Sequence, residues 1–119
     1  MNTIIWMIQS VLAFMFGMAG IVKLAMPKSK VEDRIDWAKE YSGPTIMFIG
    51  TFELLGALGL ILPMALHILP VLTPVAASAL VLLMLLAIPT HFRRKEYRDI
   101  RLNVLLLFVA AFIAFMRYQ

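Results

Sequence analysis

Four long apolar runs divide the chain, and the polar residues are gathered between them rather than spread along them. The runs cover about residues 3–25, 44–62, 71–88 and 102–116. A helix rising about 1.5 Å per residue needs roughly 20 residues to cross the ~30 Å hydrocarbon layer of a bilayer. The first three runs meet that length outright, and the fourth meets it if its helix begins nearer Tyr97. None shows the strict alternation of a barrel strand, and an open strand in lipid would leave its backbone unpaired, so all four are expected to be helices. Prolines punctuate them: Pro27 ends the first, Pro44 suits the first turn of the second, Pro63 follows it, Pro70 and Pro74 open the third, and Pro89 is expected to kink its end. The predicted fold is all-α, a single polytopic transmembrane four-helix bundle.

The connections are unequal. Residues 26–43 carry Lys28, Lys30, Arg34 and Lys39, and residues 90–101 carry Arg93, Arg94, Lys95, Arg98 and Arg101. The stretch between Pro63 and Pro70 carries no Lys or Arg, and the tails carry only Arg117. By the positive-inside rule the two basic connections are cytoplasmic and both termini face outward, which makes the chain a multi-pass protein of the cell membrane. The first run has no basic start and no small-x-small ending, so it is expected to be a retained helix rather than a cleaved signal. Within the first connection Val31, Ile35, Ala38 and Tyr41 recur at helical spacing, which predicts an interfacial helix over about 30–42 with Trp37 as its anchor.

Composition agrees with a lipid solvent: 62% of the 119 residues are hydrophobic and 15% are charged. The net charge of +4 does not lie along a polar face, so it points to lipid headgroups and not to nucleic acid. Arg93, Arg94 and Lys95 are assigned to contact with anionic lipid or an acidic partner. The absence of cysteine removes thiolate catalysis, disulfides and Cys-held zinc or iron–sulfur clusters. His67 and His91 are 24 residues apart, about 36 Å along a helix, so they cannot ligate one haem or metal within a chain, and no metal is expected. Gly17, Gly20, Gly50, Gly56 and Gly59 are small residues that let helices approach closely, which makes the first two long helices neighbours. The nine methionines read as gap-filling side chains.

Candidate chemistry is confined to four polar positions. Glu53 lies nine residues beyond Pro44, on the order of 13 Å deep, where a carboxylate facing lipid is costly. It is expected to face the bundle interior, as a functional group or as a structural lock. Lys23, near the end of the first helix, can reach inward to Glu53 or snorkel outward to headgroups. His91 and Asn103 fall in the same half of the bundle, so each long helix offers one polar group there, and together they could line a ligand pocket. No catalytic residue is assigned.

Gly17-Met18-Ala19-Gly20-Ile21-Val22-Lys23-Leu24, Phe52-Glu53-Leu54-Leu55-Gly56-Ala57-Leu58-Gly59-Leu60 and Ile88-Pro89-Thr90-His91 before a basic stretch resemble the DoxX-like membrane proteins. The resemblance implies a four-helix bundle and a place among components of membrane oxidoreductase complexes, or of responses to quinones and thiol stress. Lys23, Glu53, His91 and Asn103 fall where the family pattern places polar residues, but the family supplies no agreed catalytic roles for them. The expectation is therefore a subunit or accessory of a membrane oxidoreductase system, not an enzyme by itself. It would bind a quinone or similar amphiphile in the cytoplasmic half of the bundle, with oxidoreductase subunits or a second copy as protein partners. The competing expectation is an assembly or chaperone-like helper whose polar interior is structural.

Overall fold

The computed structural model describes residues 2–35, 38–39 and 41–118. Five helices follow one another: α1 (Asn2–Ala25), α2 (Lys28–Arg34), α3 (Gly43–Ala65), α4 (Leu72–Arg93) and α5 (Tyr97–Tyr118). All but α2 are long and apolar enough to cross a membrane, and only 22–33% of each apolar stretch is buried within the chain. The remainder, including Phe14, Phe48, Phe108 and Phe115, points outward on the flanks of the bundle, which is the surface of a protein solvated by lipid. The longest dimension, 39 Å, exceeds the ~30 Å of hydrocarbon by about one interfacial layer.

The long helices alternate in direction. Both chain ends and the α3–α4 turn lie at one end of the bundle, while α2 and the α4–α5 turn lie at the other, here called the basic end. α1 packs chiefly on α3 and α4 on α5, α3 and α4 share a smaller contact, and α1 and α5 touch sparingly. Leu12, Phe16, Ala57, Leu60, Ala77, Leu80, Ala110 and Ile113 form the main core between them.

Two helices run past their expected ends, and the fourth spanning helix takes the earlier start, near Tyr97, that its length requires. α3 begins under a Ser42 cap, whose hydroxyl accepts from the Thr45 amide at 3.3 Å, and it runs through Pro63 to Ala65. α4 likewise continues through Pro89 to Arg93, and α5 starts at Tyr97. A proline removes one amide bond but does not end a helix whose neighbours are packed, and polar side chains at the headgroup level can extend a spanning helix beyond its apolar run. The basic connection expected over 90–101 is thus mostly helical, with a turn at residues 94–96 in which Lys95 takes a left-handed conformation (φ 60°).

The first connection is folded, but not as one helix over 30–42. α2 stops at Arg34, Ile35 is extended, and a tight turn follows in which Ala38 donates to Ile35 and Tyr41 to Ala38. The apolar positions still converge, because Val31, Ala38 and Ile46 are buried together with Met26, Ile35 and Tyr41 against them. This small second core covers the basic end of the bundle. Trp37, the expected anchor, lies outside the described residues.

Candidate functional site

Lys23 and Glu53 meet through helix direction. Side chains lean toward the N-terminus of their own helix, and α1 and α3 run antiparallel, so Lys23 leans into the bundle while Glu53 leans back toward the basic end. Gly20 and Gly50, each three residues earlier, bring the two backbones together at this level: a Cβ on Gly20 would stand 2.7 Å from the Gly50 carbonyl oxygen. The Lys23 ammonium lies 2.7 Å from the Glu53 carboxylate, and both side chains are almost fully buried, at 4% and 8% exposure. Of the two directions open to Lys23 from sequence, the inward one is taken.

His91 and Asn103 face the same space. All four polar residues line one cavity of about 630 Å³ in the basic half of the bundle, within the ~300–1,000 Å³ of small-molecule sites. Its walls are apolar, with Phe16, Ile49, Met84 and Leu106 among them, and Arg34, Ile35 and Tyr41 of the first connection border it. The Tyr41 hydroxyl bonds Thr90 at 2.7 Å, tying that connection to α4. Asn103 is 8% exposed, and its amide nitrogen has no hydrogen-bond partner among the described residues. A buried amide in that state is a free donor presented to the cavity.

His91 is engaged with the α4–α5 turn. Its Nδ1 lies 2.9 Å from a Glu96 carboxylate oxygen and 4.0 Å from one of Asp99, and its carbonyl accepts from the Glu96 amide at 2.9 Å. Arg94 Nε approaches the same Glu96 oxygen at 3.3 Å. Arg93 and Lys95 are exposed beside it, in position to meet headgroups or a partner, while Arg94 is half-buried.

Sequence reasoning did not single out Glu96, Asp99, Tyr41, Thr90 or Arg34 as lining the cavity. The available signal was that Glu96 and Asp99 are the two acids in an otherwise basic connection, a sign that they neutralise something local. It also missed a polar cluster at the opposite end. There Gln9, fully buried, donates to the Leu60 carbonyl and accepts from Arg117 at 2.7 Å. Arg117 further reaches Asn2 at 2.7 Å and lies 5.4 Å from the Trp6 ring centroid, so α5 is joined to α1 at this end. The cavity lies in the other half, among all four spanning helices.

The fold and cavity define a small polytopic membrane protein with an ion pair enclosed among four spanning helices. The chain belongs to the DoxX-like family, whose model matches residues 7–113. No curated protein and no solved structure matches it.

Proposed function

We propose that the chain is a non-catalytic subunit or accessory protein of a membrane oxidoreductase system, and that its cavity binds a quinone or a similar amphiphile with a carbonyl or hydroxyl head. The observation that carries this reading is the combination of apolar walls with a buried ion pair and an unsatisfied amide donor in one space. An amphiphile's ring and tail suit the walls, and its oxygen would take the hydrogen bond that Asn103 lacks. In this reading Glu53 accepts from the ligand or carries its proton, Lys23 sets the charge of Glu53, and His91 with Asn103 orients the head.

Photolabelling of the purified, detergent-solubilised chain with an azidoquinone tests it. Labelling should saturate, compete with unmodified quinone, map to peptides of the cavity wall, and weaken in Glu53→Gln. No saturable labelling of the wild type removes the reading. A Glu53→Gln variant that changes thermal stability while leaving labelling intact would favour the assembly-helper alternative instead.

The orientation proposed with it places the basic end in the cytoplasm, supported by the nine Lys and Arg of the two basic connections against Arg117 alone at the opposite end. Because the chain has no cysteine, single-cysteine probes are clean. A membrane-impermeant maleimide added to intact cells should label His67→Cys and spare Lys30→Cys until the membrane is opened. Labelling of Lys30→Cys in intact cells would reverse the orientation.

A further inference from the structure

We propose that His91, Glu96 and Asp99 form a binding site for a divalent transition-metal ion of borderline softness, such as Zn²⁺ or Fe²⁺, at the basic-end rim of the cavity. One ligand atom from each of the three residues can be chosen so that all lie within 4.8 Å of one another. Ligands at about 2.1 Å from such an ion stand roughly 3.0–3.4 Å from each other, for right-angled and tetrahedral arrangements respectively. The His91–Glu96 separation of 2.9 Å already meets that figure, and the His91–Asp99 separation of 4.0 Å exceeds it by well under 1 Å. Asp99 is the most exposed of the three, with its side chain 48% exposed, so its carboxylate has room for the small rotation that closes the set.

A second observation points the same way. Asn103 follows Asp99 by one helical turn on the same face of α5, is buried, and has an amide that no hydrogen bond orients at its nitrogen. An amide not fixed in that way can turn its carbonyl oxygen toward the cluster and serve as a fourth ligand. One imidazole with two carboxylates and an amide oxygen is a mixed nitrogen–oxygen set, which suits Zn²⁺ or Fe²⁺ better than the all-oxygen preference of Ca²⁺ or Mg²⁺. Two carboxylates also cancel the ion's charge, which matters beside Arg93, Arg94 and Lys95.

The reading it must displace is a purely structural turn, with His91 and Glu96 bonded to each other and Asp99 placed in the first turn of α5 for the helix dipole. Asp99 separates the two, since it lies outside hydrogen-bond distance of His91 and is half exposed. The test uses the full chain in detergent, free of any histidine tag, in a His67→Gln background that removes the exposed imidazole of the other end. Calorimetric titration of the chelator-treated protein with ZnCl₂ should show saturable one-to-one binding, with a rise in melting temperature and little response to MgCl₂. Asp99→Asn should weaken Zn²⁺ binding on the order of tenfold or more while keeping the melting temperature of the metal-free form. Absence of saturable Zn²⁺ binding, or equal binding by Asp99→Asn, overturns the proposal. Repeating the azidoquinone photolabelling in excess chelator keeps the test of the amphiphile reading separate, because it is then read without the ion that His91 and Asn103 would hold.

Discussion

Lys23→Met and Glu53→Leu, made singly, are each expected to destabilise the protein by about 3–5 kcal/mol, while the two combined return stability to within about 1 kcal/mol of the wild type. The asymmetry follows from burial. Both charged groups are nearly sealed from solvent and lie 2.7 Å apart, so their attraction roughly offsets the cost of removing them from water. Deleting one partner leaves the other stranded among apolar walls, where it must stay charged without a partner or change its protonation state. Deleting both removes the cost along with the attraction. Reversible unfolding of all four proteins in mixed micelles closes the double-mutant cycle, and a double variant that loses as much as the singles together would show that the residues are not coupled. The cycle also separates the two functional readings. A double variant that is folded and stable yet no longer takes up quinone assigns the ion pair to ligand binding, whereas one that still takes it up assigns the pair to helix register.

The spanning helices were legible because lipid imposes a length and a composition that the sequence must display. Their ends were less so. Apolarity stops near Leu62 and Ile88, but the backbone hydrogen bonding that defines α3 and α4 passes Pro63 and Pro89 and carries Thr90, His91 and Arg93 into the helix. In the first connection the apolar spacing of Val31, Ile35, Ala38 and Tyr41 rightly marked one buried face, yet a break at Ile35 produces that face from α2 and a tight turn instead of one helix. Glu53 could be named from depth alone, since a carboxylate inside a membrane has few tolerable surroundings, and Lys23, His91 and Asn103 from falling in the same half of the bundle. Which way Lys23 turned could not, because a long stem reaches both headgroup and interior. The Gln9–Arg117 bond spans 108 residues, and its existence depends on which faces of α1 and α5 meet, a tertiary register that no local pattern encodes. Glu96 and Asp99 were hidden for a related reason: they looked like loop charges until α4 and α5 extended to leave only a short turn between them.

Gly20 sets the geometry on which the site depends, and its replacement is the sharpest test of the helix packing. A Cβ there would lie 2.7 Å from the Gly50 carbonyl oxygen, 2.9 Å from the Leu54 amide nitrogen and 3.1 Å from the Leu54 Cβ. Two of these are backbone atoms that cannot rotate aside, so Gly20→Ala must push α1 and α3 apart, at a cost of about 1–3 kcal/mol, and Gly20→Leu should exceed that range. In lipid there is no hydrophobic gain to draw the helices back together, because a lipid tail is as apolar as the surface it would cover. Gly17 supplies the control on the same helix: its added Cβ would meet Ala57 Cβ at 3.6 Å, an ordinary contact, and Gly17→Ala should leave stability nearly unchanged. Thermal unfolding in detergent distinguishes the pair, and equal melting temperatures for Gly17→Ala and Gly20→Ala would mean that the two backbones do not approach as described. The damage at Gly20 should extend to the cavity. Lys23 reaches Glu53 only because α1 and α3 touch one turn away, so a shift of about 1 Å between the helices stretches a 2.7 Å ion pair beyond hydrogen-bonding distance. Gly20→Ala is therefore expected to reduce azidoquinone labelling more than Gly17→Ala does, although neither glycine supplies a side chain to the site.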